Sequence, residues 1–247
     1  MFMNEIQPHI QLVKNLNIHH ALLPGDPARV DVAKQFLDRP REVAFNREYK
    51  SVIGDYKGTQ VLVMSTGMGG PSTAIAVEEL ANIGIRSCIR IGSCGALQDT
   101  MKLGDLVIAT GAVRDEGTTF SYIEPVFPAI SDFKLVQAMK QVVDAEQIPY
   151  HLGVIRSHDT FYTDLEDEIN AYWSKQGVLG SDMETAALLV VGALRGIKTA
   201  SILNVVVETK EDLVSGIGEF SGGEQTTAEG ERKQIKVALE AIASLKI

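Results

Sequence analysis

Two arginines stand where an apolar strand would pass into a helix or a glycine-rich turn, and both could bind an anion. Arg29 falls in the first turn of a helix that Asp26 would cap and Pro27 would begin. Free N–H groups and the helix dipole favour an anion there, although a capped helix with a surface arginine is the simpler interpretation. Arg90 lies inside an apolar run, followed by Ser93 and glycines. Because a buried arginine requires an anionic partner, Arg90 favours a phosphate site over a structural ion pair.

Two further junctions contain glycines or a carboxylate at a predicted helix start. The segment 65–72 reads STGMGGPS, but it lacks the Lys-Ser/Thr of a Walker motif and the GxGxxG order of a dinucleotide fingerprint. The segment 180–186 places Glu184 at the start of a helix, where its carboxylate could hold the two vicinal hydroxyls of a ribose. Ser181 and Glu184 also fit a capping box, so both interpretations stay open.

Short β-branched runs alternate with helical stretches along nearly the whole chain. This alternation predicts one α/β domain over residues 1–247, a three-layer α/β/α arrangement around a mixed, largely parallel twisted sheet. Ligands of such sheets bind beyond the carboxyl ends of the strands, where the four junctions fall. The predicted strands are 19–24, 59–66, 87–93, 105–113, 151–157, 178–182 and 199–207, and the predicted helices are 27–36, 72–83, 132–147, 183–195 and 227–245.

Composition narrows the class of protein. The net charge of −9 argues against broad binding to nucleic acid or a membrane surface. No apolar run has the length of a signal peptide or a membrane span. Cys88 and Cys94 lack zinc-site spacing and are predicted to be reduced thiols, so we expect a cytoplasmic protein without a zinc site. The glycine-rich, charged segment 210–224 predicts a surface loop whose glycines would permit closure over a substrate.

The junctions, in this order and at this spacing, resemble the nucleoside phosphorylase-I family, which contains uridine and purine nucleoside phosphorylases, with nucleosidases on the same fold. The resemblance covers nearly the whole chain. It implies a pentosyltransferase of nucleoside salvage that splits a nucleoside with inorganic phosphate, giving the free base and (deoxy)ribose 1-phosphate. Phosphate is then a co-substrate and no cofactor is expected. The matching motifs are PGDPARV, AFNREYKSV, STGMGGPSTAIAVEEL, IRIGSCGAL, FPAISDF, HDTFY and SDMETAAL.

The same resemblance implies site residues and an assembly. It implies a homodimer that shares its active sites, assembled into a hexamer, with Arg47 and His9 reaching into the neighbouring subunit's site. A monovalent cation such as K⁺ is allowed near the positions of Glu48, Met68 and Ser72. The implied phosphate ligands are Gly25, Arg29, Arg47, Arg90 and Ser93. The implied ribose contacts are His9, Met183 and Glu184, and the implied base contacts are Cys94, Gly95 and Phe161.

The chain departs from its relatives where the base would be recognised. Purine-specific members place an aspartate at a position that falls here on Val206 or Val207. Glu208, one residue further, is the candidate catalytic acid, provided that a bulge turns its side chain inward. Arg90 and Glu184 are the other two candidate catalytic residues. Uridine-specific members carry a glutamine and an arginine where this chain has Leu165 and Asp167. A uridine-type enzyme is narrowly favoured because an apolar strand end suits a base that leaves without protonation, and a purine nucleoside phosphorylase is the alternative.

Two other classes stay open on the sequence. A nucleosidase would use water instead of phosphate, but such enzymes usually replace the arginines matching Arg29, Arg47 and Arg90 with apolar residues. A non-catalytic nucleoside-binding homologue would account for the loss of both base signatures.

Overall fold

A computed structural model describes residues 6–14, 16–209, 216, 218, 222 and 224–245. Its strands are β1 (His20–Pro24), β2 (Asp38–Asn46), β3 (Tyr49–Tyr56), β4 (Thr59–Met64), β5 (Ser87–Ala96), β6 (Leu106–Asp115), β7 (Ala129–Ile130), β8 (Tyr150–His158), β9 (Gly180–Asp182) and β10 (Lys198–Val207). Its helices are α1 (Pro27–Lys34), α2 (Gly70–Ile83), α3 (Phe133–Glu146), α4 (Glu166–Lys175), α5 (Thr185–Leu194) and α6 (Gln225–Ser244).

The central strand of the sheet is β5. It runs parallel to β1 on one side and to β10 on the other, and β1 continues through β4 into the antiparallel strands β3 and β2. On the far side, β10, β6, β8 and β9 pair in turn, and β9 returns to the end of β5, which closes a ring of five strands. The short strand β9 therefore joins the carboxyl ends of β5 and β8, so residues from both ends meet at one place.

Helices cover both faces of the sheet because successive strand residues point to opposite faces. On β1, Leu22 packs into a core with α1, α3 and α6, whereas Ala21 and Leu23 pack into a second core with α2 and α5. The predicted α/β fold with a mixed central sheet and helices on both faces is confirmed. As predicted, Asp26 caps α1 by accepting a hydrogen bond from the Ala28 N–H at 2.8 Å.

Four of these elements were not predicted, namely the strands β2, β3 and β7 and the helix α4. Strand β2 is mostly exposed, and its register with β3 shifts twice. Helix α4 has no buried residue, so no apolar face marks it in the sequence. The predicted loop 210–224 lies outside the described residues except at 216, 218, 222 and 224. Among the residues described, no helix has both the length and the apolar character that crossing a membrane requires.

Candidate active site

A cavity of about 580 Å³ opens beyond the carboxyl ends of β1, β5 and β10, next to β9 and the end of β8. This volume is typical of a site that holds a small organic molecule. The cavity gathers residues from all four junctions that the sequence singled out. Those predicted site residues that line it are Gly25, Arg29, Glu48, Met68, Arg90, Ser93, Cys94, Gly95, Phe161, Met183, Glu184 and Glu208.

Arg90 is the most constrained charged residue of the cavity. It is 4 % exposed, and its Nε donates to Asp182 Oδ2 at 3.0 Å while its Nη2 donates to Glu184 Oε2 at 2.5 Å. Burial by itself would lower the pKa of Arg90, but the carboxylates of Glu184 and Asp182 raise it above its usual value. Its Nη1 is buried without a hydrogen-bond partner among the described residues. The guanidinium is therefore charged and keeps one donor for a ligand.

Two glycines leave room around this guanidinium. A Cβ built on Gly92 would lie 2.5 Å from Arg90 Nη2, a distance that real Cβ atoms do not tolerate. A Cβ on Gly25 would lie 3.9 Å from Arg90 Nη1, so the unpartnered nitrogen faces the turn after β1. The Nη1 donor thus points toward the backbone at Gly25, just before α1, as an anion-binding arrangement requires.

A second arginine lies in the same wall. Arg29 Nε donates to Glu231 Oε2 at 2.8 Å, and its Nη1 donates to the carbonyl oxygen of Ile91 at 3.0 Å. Burial lowers the pKa of Arg29 despite the opposing effect of Glu231, and the positive charge of Arg90 contributes in the same direction as burial. Two buried guanidinium groups in one wall, with the Ser93 hydroxyl nearby, make this end of the cavity suited to a multiply charged anion.

Glu184 faces the same cavity from the start of α5. Its Oε1 accepts from the Gly69 N–H at 2.6 Å, and its Oε2 accepts from Arg90. Gly69 has φ = +89°, so the turn before α2 requires glycine to present this N–H. Burial and the nearby charge of Asp182 raise the pKa of Glu184, while Arg90 opposes that rise. The carboxylate is thus fixed in orientation beside the anion-binding end.

Asp182 also lines the cavity, and the sequence reasoning did not single it out. Its carboxylate accepts from Arg90 Nε, from the Thr185 N–H at 3.0 Å and hydroxyl at 2.6 Å, and from Ser157 Oγ at 2.6 Å. It therefore holds Arg90 and the first turn of α5 together. Two features of the sequence could have indicated Asp182. One is a buried arginine without an obvious partner, and the other is a carboxylate at a strand end in the SDMET segment.

We expect Asp182→Asn to lower the free energy of unfolding by about 3–5 kcal/mol, because Arg90 would lose one of its two buried counterions and the amide N–H₂ would face donors. Urea denaturation would measure this change. The control is Asp31→Asn, whose half-exposed carboxylate pairs with Lys50 Nζ at 2.6 Å and should contribute less than about 1 kcal/mol. Equal losses in the two variants would contradict the structural role of Asp182.

One patch of the cavity wall is apolar. Val206 and Val207 line it, and the pairing of β10 with β5 shifts register between Val205 and Val207. This irregularity is the bulge that the sequence reasoning required for Glu208 to turn inward. Burial raises the pKa of the Cys94 thiol, which is therefore neutral in this wall. The cavity thus combines buried charged donors with an apolar patch that suits one face of a flat ring.

Residues 19–244 match the family model of the phosphorylase superfamily. The chain belongs to this superfamily. It is 36 % identical to the uridine phosphorylase of Treponema pallidum over 99 % of this chain and 96 % of the relative. It is 41 % identical to the purine nucleoside phosphorylase of Plasmodium vivax over 81 % and 83 %. The structure of uridine phosphorylase from Vibrio fischeri is 42 % identical, with a TM-score of 0.90 over 97 % of each chain. The predicted family and reaction class, nucleoside phosphorolysis by a pentosyltransferase, are confirmed.

Glu208 lies at the rim of the cavity, but its carboxylate is engaged elsewhere. It accepts from Lys102 Nζ at 2.9 Å and from the Leu103 N–H at 3.2 Å. The hydrogen bond from Lys102 lowers the pKa of Glu208 more than partial burial raises it. The bulge is present, yet the carboxylate is ionised and bonded to Lys102, so it has no proton to donate in the predicted catalytic role. That role stays a prediction.

His9 and Arg47, implied as donated residues, do not line the cavity of their own chain. The His9 Nδ1 lies 2.6 Å from Glu79 Oε1, and Glu79 also accepts from the His9 N–H. Arg47 occupies the turn between β2 and β3 with φ = +53°. Their placement is compatible with donation to a neighbouring copy, which stays a prediction.

Of the three residues implied near a cation, Glu48 and Met68 line the cavity and Ser72 contacts Glu48. Ser72 Oγ donates to Glu48 Oε1 at 2.7 Å, and Met68 is 85 % exposed. Partial burial raises the pKa of Glu48, but this hydrogen bond, a backbone hydrogen bond and the charge of Arg47 together lower it below its usual value. Among the described residues, no cluster of three or more histidine, cysteine, aspartate or glutamate side chains could hold a metal ion.

Proposed function

We propose that this phosphorylase cleaves uridine-type nucleosides with inorganic phosphate, releasing the base and ribose 1-phosphate. The observation that carries the proposal is the unpartnered Nη1 of Arg90, which lies in one cavity with Arg29, Ser93 and Glu184 and with the apolar side chain of Val206. One cavity thus combines an anion site, a carboxylate for hydroxyl groups and a surface for a flat base.

The phosphate site comprises the charged end of the cavity. We infer that Arg90 Nη1, the Ser93 hydroxyl and the backbone at Gly25 donate to phosphate oxygens, with Arg29 adding positive charge. Several buried positive charges offset the dianion and hold it on one side of the anomeric carbon, so that attack is nearly unimolecular. The phosphate in turn stabilises the oxocarbenium-like ribose that forms as the glycosidic bond breaks.

Ribose is held by Glu184 and Met183. Glu184 already accepts from Gly69 and Arg90, so its orientation is set before the substrate arrives. Its remaining lone pairs can accept from the vicinal hydroxyls of a ribose. Because Arg90 touches both Glu184 and the proposed phosphate site, the sugar and its attacking group are positioned by one ion-pair network.

The leaving base lies against Cys94, Gly95 and Phe161, with Val206 and Val207 at the end of β10. Neither valine can donate a proton. A uracil ring tolerates this environment, since it can leave as an anion whose charge spreads over two carbonyl oxygens. This is the argument for a uridine-type substrate.

A purine nucleoside phosphorylase is the second candidate. It is favoured by the 41 % identity to the Plasmodium vivax enzyme and by a TM-score of 0.88 to the Toxoplasma gondii purine nucleoside phosphorylase, which is 30 % identical. Protonation of a purine would require Glu208 to leave Lys102, take up a proton from solvent and donate it to the base.

We further propose a homodimer as the working unit, assembled into a hexamer, in which a neighbour supplies its copies of His9 and Arg47. With Arg47 from the neighbour, the phosphate site would contain three arginines. The His9 ring of the neighbour would approach the ribose. Support comes from the absence of both residues from the cavity wall of their own chain.

We also propose a co-substrate, a bound cation and a cellular compartment for the reaction. Inorganic phosphate acts as co-substrate, and K⁺ is proposed to bind near the oxygens of Glu48 and Ser72 at the subunit boundary. The buried free thiols of Cys88 and Cys94 support a reducing compartment, and we propose the cytoplasm.

We expect purified enzyme to release uracil from uridine only when phosphate is present, in excess over hypoxanthine from inosine, as measured by chromatography. Release of uracil without phosphate would identify a nucleosidase, and binding of nucleoside without cleavage would identify a non-catalytic homologue. Preferred release of hypoxanthine would favour the purine alternative. Diluting the enzyme below its dimerisation constant should lower specific activity, because each site would lose His9 and Arg47 from its neighbour.

A further inference from the structure

Arg156 enters the cavity from β8, a strand whose residues the sequence reasoning did not connect with the base. In the strand pairing, Arg156 lies opposite Ser181 of β9, and Ser181 lies opposite Gly95 of β5. Residues paired across neighbouring strands face the same side of a sheet. Arg156 therefore belongs to the same row as Gly95, which we assign to the base, and all three residues line the cavity.

The contacts of Arg156 fix one side of its guanidinium and leave the other side available. Its Nε donates to Asp115 Oδ2 at 2.6 Å, and the residue is only 7 % exposed. Its two terminal nitrogens make no hydrogen bond with any residue that the structure describes. Neither nitrogen is sealed in the interior. A held guanidinium with two available donors matches a planar ligand that offers acceptors.

Neighbouring polar groups strengthen this arrangement. Ser181 Oγ is buried without a partner among the described residues, one strand away from Arg156. The ring of His158 contacts the Thr160 carbonyl oxygen at 3.0 Å through Nδ1. Burial and the charge of Arg156 lower the pKa of His158, which is therefore neutral near pH 7. Arg156 is thus the cation of this part of the wall, beside neutral hydrogen-bonding groups.

We propose that Arg156 is the base-reading residue, whose terminal nitrogens donate to the carbonyl oxygens of an oxo-base and select it over an amino-base. A guanidinium has five donors and no acceptor, so it pairs with the O4 edge of uracil or the O6 and N7 edge of a 6-oxopurine. The exocyclic amino group of cytosine or adenine would instead face Arg156 with N–H donors. This inference rests on the proposed nucleoside phosphorylase activity.

The same guanidinium would assist departure of the base. Negative charge develops on the ring and its carbonyl oxygens as the glycosidic bond breaks, and a buried cation stabilises that charge. Arg156 would thereby take over, from a different strand, the base recognition that is lost with Leu165 and Asp167. Those two positions lie just before and within the first turn of α4, where Leu165 is exposed.

The test compares an oxo-nucleoside with its amino counterpart: uridine with cytidine or, if the enzyme prefers purines, inosine with adenosine. Wild-type kcat/KM should favour the oxo-nucleoside by at least about tenfold. In Arg156→Met, kcat/KM for the oxo-nucleoside should fall by about 10–100-fold, the loss expected for a hydrogen bond from a charged donor. The kcat/KM for the amino-nucleoside and the KM for phosphate should change little. Arg195→Met, which alters a half-exposed arginine paired with Glu78, is the control.

Two further measurements keep the result interpretable. Arg156→Lys retains the positive charge but lacks the planar guanidinium with its paired donors, so it should recover only part of the selectivity. Calorimetry should show weaker binding of free oxo-base to Arg156→Met even if turnover is poor. An unchanged ratio of oxo- to amino-nucleoside activity in a folded Arg156→Met variant, or an equal loss on both substrates, would overturn the inference. Wild-type enzyme that cleaves no nucleoside would instead contradict the proposed function.

Discussion

Replacing Arg90 by glutamine is expected to lower kcat/KM for phosphorolysis by about 10²–10³-fold, the loss typical of one preorganised electrostatic group at a reaction centre. Arg90 carries the unpartnered Nη1 and also holds Glu184 in place, so both the phosphate and the ribose would lose a positioning contact. The KM for phosphate should rise together with the fall in kcat. Steady-state kinetics at varied phosphate and fixed uridine would measure both.

Two companion variants separate chemistry from folding. Arg90→Lys keeps a positive charge beside Asp182 and Glu184 and should retain more activity than Arg90→Gln, while losing the geometry of the fork. Arg195→Gln, at a half-exposed site, should leave the kinetics unchanged. A folded Arg90→Gln variant with normal phosphate-dependent turnover would refute the phosphate assignment.

Replacing Glu184 by glutamine is expected to lower kcat/KM for uridine by about 10²-fold. The carboxylate accepts from the Gly69 N–H and from Arg90, and an amide of the same shape can accept at only one of these positions. The ribose hydroxyls would lose a charged acceptor at the same time, and each such hydrogen bond changes the rate by about tenfold or more.

Comparison with 2′-deoxyuridine tests whether Glu184 acts through the ribose. The deoxy substrate lacks one of the two hydroxyls, so the loss caused by Glu184→Gln should be about tenfold smaller for it than for uridine. Glu78→Gln alters a surface carboxylate paired with Arg195 and should affect both substrates little. Equal losses on the two substrates would show that Glu184 does not act through the 2′-hydroxyl of the ribose.

Much of the anion-binding end of the cavity was predictable because its residues lie at strand-to-helix junctions. Arg29 follows a helix cap, Arg90 interrupts an apolar strand, and Glu184 precedes a helix, all of which are local patterns. The carboxyl ends of neighbouring parallel strands meet at one edge of a sheet, so residues at these junctions were expected to converge. The cavity that contains all three confirms their convergence, while their roles stay proposals.

Parts of the fold were not predictable from local pattern. Strand β2 and helix α4 bury little apolar surface, so neither has the periodicity that marks an element in a sequence. The closure of β5, β10, β6, β8 and β9 into a ring depends on the short strand β9, which lies within the predicted strand 178–182 but whose pairing partners no local pattern specifies. The positions of these elements in the fold are decided by the elements they contact, which lie far away in the chain.

The amino-acid sequence by itself determined the residue types at each junction, the helix caps and the alternation that makes an α/β sheet. Only the tertiary structure decided which charged groups meet. Arg90 and Asp182 are 92 residues apart, Glu208 turns to Lys102 across 106 residues, and Arg156 is held by Asp115 across 41. Backbone propensities act over a few residues, whereas the direction of a buried charge depends on the nearest opposite charge in space. No local pattern specifies that neighbour.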